Sequence, residues 1–364
     1  MDTVSDPDIR FDENGVCNYY SDYLKGAAEH VRKGGEGRAA LERIINQIKE
    51  DGKGKPYDCI MGLSGGVDSS YVAYLCKQYG LRPLAVHFDN GWNSELAVKN
   101  IESMVNKCGF DLHTLVVDWE EFKDLQLAYI KSSVVDIDVP ADHAIVATLY
   151  KLALKHNLKY LLSGLNVNSE FVMPPSWIFN KRDHINLLDI HSKFGTKKLK
   201  TFPLYDTVMK KRVQMARIQS VDILNYVDYN KVEAKKVITQ ELGWRDYGGK
   251  HYESLFTKFY QAHILPEKFK IDKRKPHLSS LNFSGQMSKA DALEEMKKPL
   301  YDSLVLAQEK DFFLKKLGLT DTDWQTVMIT PRRSHQDFAI ERPLDERYKM
   351  LKPVKFLYKK IIGA

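Results

Sequence analysis

The sequence predicts an α/β fold, a doubly wound parallel sheet followed by a mostly helical C-terminal region. Three observations predict it. Short apolar runs alternate with stretches of helical periodicity between residues 58 and 163, one of those runs passes straight through a glycine-rich turn into a helix start at Tyr57–Tyr74, and helix formers dominate from Tyr226 onward. Alternation of this length pairs strands in parallel, because each helical crossover returns the chain to the same end of the sheet.

The opening MDTVSDPDIRFDENGVCNYYSDY is polar, with Asp-Pro and Asn-Gly punctuation, and reads as an extended arm or small subdomain outside the core. From Ala39 to Lys49, the spacing of Leu41, Ile44, Ile45 and Ile48 predicts an amphipathic helix that Gly52 and Gly54 end. Strands follow at Asp58–Gly62, Pro83–Phe88, Leu112–Val117 and Tyr160–Ser163. Between them, Val72, Leu75, Cys76 and Tyr79 lie at i, i+3, i+4 and i+7, and Ala97, Ile101, Met104, Val105 and Cys108 repeat the pattern behind Asn93 or Ser94 as N-cap. Two more helices are expected around Trp119–Ile130 and Asp142–His156. After Met173 the pattern turns irregular, with basic clusters at Lys197, Lys198, Lys200 and at Lys210, Lys211, Arg212, which suit either a solvated face or a clamp on phosphates. The expected organisation is an N-terminal arm and helix at 1–50, a nucleotide-type α/β domain at 51–230 and a helical domain at 231–364.

A chain of 364 residues with 43% hydrophobic content buries a full core. Its net charge of +6 favours anionic ligands such as nucleotides without demanding nucleic acid. Cys17, Cys59, Cys76 and Cys108 form no C-x-x-C pair, and Cys59 and Cys76 occupy apolar positions suited to buried free thiols. No run of 18 apolar residues and no signal-peptide pattern is present, so a cytoplasmic protein without a membrane partner is expected.

The chemistry concentrates at Tyr57–Tyr74. Gly65 and Gly66 remove the Cβ atoms that keep an anion from the backbone, and the following helix points its unsatisfied N–H groups and positive end at the same place. Ser64, Ser69 and Ser70 add hydroxyl donors, whereas an ionised Asp68 repels bare phosphate and makes sense beside a cation such as Mg²⁺. Neither G-x-x-x-x-G-K-[ST] nor G-x-G-x-x-G is present.

Ser64-Gly65-Gly66-Val67-Asp68-Ser69-Ser70 resembles the PP-loop of the ATP pyrophosphatase superfamily, which includes GMP synthetases, asparagine synthetases and tRNA-thiolating enzymes. The resemblance implies binding of ATP and Mg²⁺, transfer of AMP to a substrate oxygen and release of pyrophosphate, with Ser64 to Ser70 on the phosphates and Asp68 nearest the metal. It also makes the first strand central, with the fourth beside it on the far side from the second. Gly62–Ser70, His87–Asn93, Val139–His143 and Gly164–Glu170 then converge at the carboxyl ends of the strands, where open α/β sheets bind ligands. On this basis His87, Asp89 and Gly164 are candidates for the nucleoside side. Asp68, Ser69, Asp142 and His143 are candidates for catalysis, and Asn90, Asn93, Asn166, Glu170, Lys250 and Arg274 for the substrate. Each has a structural role open to it as well: Asp142 as a helix cap, His87 as a satisfied core imidazole, the asparagines as turn formers.

Nearly the whole chain resembles one branch of that superfamily, the N-acetyl sugar amidotransferases of O-antigen, pseudaminic and legionaminic acid biosynthesis. The resemblance is carried by Tyr57–Tyr74, VHFDNGWNSELAVKNIE (86–102), DVPADHAI (138–145), SGLNVNSE (163–170), WRDYGGKHYESLFTKFYQ (244–261) and LPEKFKIDKRKPHLSSL (265–281). It implies conversion of a sugar acetamido group to an acetamidino group, with ammonia from a separate glutaminase subunit and its cyclase-like partner. Members commonly carry two C-x-x-C pairs near the N-terminus. Here Tyr20 stands where one of those cysteines would be and the first pair is missing, so no zinc is expected. A tRNA-modifying PP-loop enzyme and a non-catalytic nucleotide-binding protein are the alternative readings, the first wanting catalytic cysteines and a more basic surface.

Overall fold

The computed structural model describes residues 1–249 and 252–342. Its centre is a parallel sheet of β1 (Cys59–Gly62), β2 (Pro83–Asp89), β3 (Asp111–Val116), β4 (Tyr160–Ser163) and β5 (Gln219–Asp222), in the order β3-β2-β1-β4-β5. The chain builds outward from β1 through β2 to β3, then crosses back to lay β4 on the other side of β1. That reversal opens a crevice at the carboxyl ends of β1 and β4.

The helices are α1 (Asn18–His30), α2 (Gly34–Asp51), α3 (Val67–Gln78), α4 (Glu95–Cys108), α5 (Trp119–Ser132), α6 (Val139–Lys155), α7 (Val167–Glu170), α8 (His184–Phe194), α9 (Thr207–Met215), α10 (Lys231–Leu242), α11 (Leu255–Phe259), α12 (Arg274–Phe283), α13 (Lys289–Lys297), α14 (Ser303–Leu317) and α15 (Asp321–Ile329). Strand side chains alternate between two cores, as the two-residue period requires. Cys59, Met61, Ala85, Tyr160 and Leu162 face a layer formed by α2, α3, α4 and α10, whereas Ile60, Leu84, Val86 and Leu161 face α6 and α9. Helices on both faces make the sheet doubly wound. A third, aromatic core, with Trp92, Phe122, Trp177, Phe256, Phe313 and Trp324, joins α5 and the loop after β2 to the C-terminal helices.

Three features differ from the sequence expectation. β5, Gln-Ser-Val-Asp, is polar and lies at the edge of the sheet, so it carries no apolar run to reveal it. The N-terminal arm is packed in: Ile9 and Tyr19 are buried against Val172, and the indole N–H of Trp177 donates to the Ser5 carbonyl at 2.9 Å. α10, the first helix past residue 230, lies in the sheet's own helical layer, with Ala234, Ile238 and Leu242 in the same core as Val72 and Ile101. Among the described residues, no helix is long and apolar enough to cross a membrane. Cys59 and Cys76 are buried free thiols.

Candidate active site

β1 ends at Gly62, and the turn Ser64–Gly66 delivers the chain into α3. Gly65 has φ +83°, and a Cβ there would stand 3.0 Å from the Ala97 carbonyl oxygen, so both its conformation and its space require glycine. The Ser64 hydroxyl accepts from the Gly66 N–H at 3.2 Å and contacts the Ser69 hydroxyl at 3.1 Å. The hydroxyls of Ser69 and Ser70 both donate to the Gly66 carbonyl, at 3.1 and 2.6 Å. Ser70 is fully buried, so its hydroxyl clips the turn to the helix. A second clamp comes from far along the chain, where the buried indole N–H of Trp244 donates to the Gly65 carbonyl at 2.8 Å.

The Asp68 carboxylate, in the first turn of α3, is engaged on both oxygens. The Tyr229 hydroxyl donates to one, and the Lys231 ammonium stands 3.2 Å from the other. Burial and Asp68 push the Tyr229 phenol far up. Burial opposes the charge on Lys231, but Asp68, Glu170 and Glu253 together hold its pKa above the ordinary lysine value. A Cβ on Gly66 would lie 3.3 Å from both the Glu253 carboxylate and the Tyr247 hydroxyl, which marks the wall the C-terminal segment builds beside the turn. That segment is seated by main-chain bonds: Ser94 N–H to the Glu253 carbonyl at 2.9 Å, Leu255 N–H to the Trp92 carbonyl at 2.8 Å, and a bridge between Asn93 and Ser254.

Gly164, after β4, meets the turn directly, since a Cβ there would lie 3.1 Å from the Asp68 carbonyl carbon. At the end of β2, the Asn93 amide donates to His87 Nε2 at 3.1 Å and to Asp89 at 3.2 Å. His87 Nδ1 therefore carries the proton and donates to the Leu63 carbonyl at 3.2 Å, and burial lowers the pKa of the ring. Asn90 accepts from the Trp92 N–H, and Asn166 caps α7 by accepting from the Ser169 N–H. Glu170 reaches Lys231 and Tyr229 electrostatically.

Two expectations are corrected. His143 is fully buried, with Nε2 accepting from the Tyr205 N–H and Nδ1 donating to the Lys181 carbonyl, both at 2.9 Å. Neither nitrogen is left for catalysis, and burial lowers its pKa to about 4. Arg274 is committed to Asp272 and to the Lys298 and Glu295 carbonyls at the end of α13, a clamp between C-terminal helices. Asp142 pairs with Lys181 at 3.1 Å while Lys181 also holds Asp136. Lys250 lies outside the described residues. Tyr229, Lys231, Trp244, Tyr247 and Glu253 are the site residues that sequence reasoning missed. For the last three, the distinctive Trp244–Gln261 stretch was the available signal; Tyr229 and Lys231 had none.

The glycine cradle, the helix N-terminus behind it and the Lys231 ammonium suit a polyphosphate. Among the described residues, no three His, Cys, Asp or Glu side chains gather as a metal site of their own. A carboxylate in the first turn of α3, such as Asp68, is the kind of oxygen ligand that Mg²⁺ takes together with phosphate oxygens.

Two family models match the chain. Residues 58–165 match asparagine synthase, and residues 253–356 match the C-terminal domain of WbpG-like lipopolysaccharide (LPS) biosynthesis proteins. Together the two matches support the resemblance to the N-acetyl sugar amidotransferase family. The chain joins an ATP-using synthetase domain to a WbpG-like domain. A curated relative, the tRNA(Ile)-lysidine synthase of Chlamydia pneumoniae, is 39% identical over 71 residues, 18% of this chain. The chain spans only 22% of that relative's length. Among solved structures, the NMN synthetase of Francisella tularensis aligns over 70% of this chain and 95% of its own at 13% identity and a TM-score of 0.31. The NH3-dependent NAD synthetase of Campylobacter jejuni, in complex with nitrate, aligns over 70% and 98% at 17% identity and a TM-score of 0.31.

Proposed function

We propose that the chain is the synthetase subunit of a sugar amidotransferase in surface-polysaccharide biosynthesis, working in the cytoplasm. It adenylates the acetamido oxygen of an N-acetylated sugar or nucleotide sugar and lets ammonia complete an acetamidino group. The observation that carries this reading is the Ser64–Ser70 cradle enclosed by Tyr229, Lys231, Tyr247 and Glu253, in a chain whose C-terminal region matches a WbpG-like domain.

An amide carbon is a poor electrophile, and oxide is not a leaving group. In the proposed reaction the amide oxygen bonds to the α-phosphorus of ATP as the bond to pyrophosphate breaks. Ammonia then adds to the activated carbon and loses a proton, and AMP leaves with the C–O bond electrons, giving the amidinium. The turn N–H groups and Lys231 stabilise the negative charge that grows on the departing pyrophosphate. Mg²⁺, held by Asp68 and the phosphates, would supply further charge neutralisation. Trp244, Tyr247 and Glu253 wall the turn, which keeps water from the adenylate. Asp142 and the loop asparagines are the proposed sugar-side contacts. Ammonia is proposed to come from a glutaminase subunit with a cyclase-like partner.

The test is a pyrophosphate-release screen of N-acetylated sugar nucleotides with ATP, Mg²⁺ and ammonium. Release with at least one acceptor, lost in Asp68→Asn while circular dichroism stays unchanged, is expected. Turnover retained by D68N would overturn the role of Asp68, and efficient use of glutamine by the purified chain would overturn the partner glutaminase.

A further inference from the structure

The Asp68 carboxylate at the glycine turn is already neutralised by an ammonium. Asp68 is the acidic side chain suited to a divalent cation there, yet Lys231 already stands 3.2 Å from its Oδ2 and Tyr229 donates to its Oδ1. Both partners of that ion pair are shielded, Lys231 at 17% and Asp68 at 18% side-chain exposure, so their interaction is weakly screened. An ammonium and a divalent cation on the same carboxylate repel each other. With Lys231 in this position, Asp68 is a poor metal ligand.

We infer that Lys231 is an exchangeable counter-ion: it neutralises Asp68 in the nucleotide-free protein, then moves to the phosphate oxygens when a metal–nucleotide complex binds and yields Asp68 to the metal. The inference rests on the reading of the turn as an ATP site. The main chain is built to let the side chain alone move. Lys231 is the first residue of α10; its N–H is fixed by Gln286 at 2.9 Å, and the Asn230 side chain caps the helix by accepting from the N–H groups of Val232 and Glu233. α10 is in turn packed against α3, which carries Asp68. The four-carbon stem of lysine therefore swings from a fixed pivot. Tyr229 keeps its hold on the other carboxylate oxygen, so Asp68 stays oriented while its partner changes.

The electrostatic surroundings give the exchange its direction. Asp68, Glu170 and Glu253 all act on the Lys231 ammonium. In the free protein one lysine offsets part of that negative charge. When a triphosphate enters, its oxygens attract the ammonium more strongly than a single carboxylate does, and its metal takes over the neutralisation of Asp68. Metal and nucleotide thus bind as one unit, and free metal is held off.

The test measures metal and nucleotide binding separately on the full chain. Mn²⁺ is titrated with and without the non-cleavable analogue α,β-methylene ATP and followed by the electron paramagnetic resonance of free Mn²⁺; Mg²⁺–analogue affinity is measured by calorimetry. In Lys231→Met and Lys231→Gln, Mn²⁺ affinity without nucleotide should rise about 10-fold or more, while affinity for the Mg²⁺–analogue complex should fall by at least about 10-fold, a loss of ~1.4 kcal/mol. Gln retains an amide that can hydrogen-bond Asp68, so it decides the matter if Met disturbs folding. Unchanged Mn²⁺ affinity in the variants overturns the counter-ion role, and nucleotide affinity within twofold of wild type overturns the transfer to phosphate. A wild-type chain that binds no nucleotide analogue overturns the ATP-site reading itself.

Discussion

Asp138→Asn should stabilise the protein at pH 8 and do little at pH 4.5. Asp138 precedes α6 and accepts from the Thr257 hydroxyl at 3.3 Å. Burial first, then the charge of Asp142, push its carboxyl from 3.8 up to about 7, against the opposing pull of Lys181 and Lys273 and with a further push from Asp136. Lys181 is tied to Asp136 at 2.6 Å and to Asp142 at 3.1 Å, so its charge is largely spent elsewhere. A carboxyl whose native pKa is raised binds its proton more tightly in the folded state. Its favourable contribution is complete below about pH 4, declines as pH rises from about 4 to about 7, and is gone above that. A rise of this size corresponds to at most ~4 kcal/mol, and discounting for contact with solvent leaves about 2 kcal/mol. Asn keeps a carbonyl oxygen for Thr257 and removes the charge. Urea unfolding of both proteins at pH 4.5 and pH 8 should therefore show a gain of about 2 kcal/mol for D138N at pH 8 and near zero at pH 4.5. A variant no more stable relative to wild type at pH 8 than at pH 4.5, or less stable, refutes the reasoning.

Gly65→Ala should cost about 1–3 kcal/mol in urea unfolding, because φ +83° is strained for alanine and the Ala97 carbonyl leaves 3.0 Å. Gly66→Ala should cost less than Gly65→Ala, since φ is −73° and the atoms at 3.1–3.3 Å from its new Cβ belong to the side chains of Ser64, Glu253 and Tyr247, which can shift, but it should weaken nucleotide binding by calorimetry. His143→Ala should cost about 2–4 kcal/mol at pH 7 through the lost ring and the orphaned Tyr205 N–H. Because the wild-type ring is held neutral with a pKa lowered from 6.5 to about 4, its stabilisation is complete above pH 6.5 and fades as pH falls toward 4, so H143A should show a weaker acid sensitivity across that window.

What was legible in the sequence was local. Ser64 to Ser70 is one contiguous turn between a strand and a helix, so its glycines and hydroxyls are read as one unit without any knowledge of the rest of the fold. β1, β2 and β4 are buried on both faces and read as apolar runs. β5 does not, because Gln219 and Ser220 are exposed and Val221 and Asp222 are only half-buried, so burial demands no apolar run there. The partners of the turn were illegible for a different reason: Tyr229, Lys231 and Trp244 stand 161, 163 and 179 residues along the chain from the groups they bind. Helical periodicity tells which face of α10 is buried but not which helix it meets. His143 and Arg274 misled because a polar residue in a distinctive stretch looks the same whether it serves a ligand or a neighbouring carbonyl.

The turn is incomplete without the chain that follows it. Without residues beyond 225, the Gly65 carbonyl loses its indole donor, Asp68 loses both its hydroxyl and its ammonium, and the wall beside Gly66 is absent. The stretch matching the WbpG-like domain begins at Glu253, the residue whose carboxylate flanks Gly66 and whose carbonyl is bonded by Ser94 at the start of α4. The domain therefore meets the glycine turn through its first residues, and its next turn reaches Asp138 through Thr257. Only a few residues separate Glu253 from Thr257, so the glycine turn and the Asp136–Asp138–Asp142 cluster are coupled through one short helix, α11. A displacement of α11 would be felt at both ends, which makes its seating on Trp92 and Ser94 as much a part of the site's geometry as the glycines themselves.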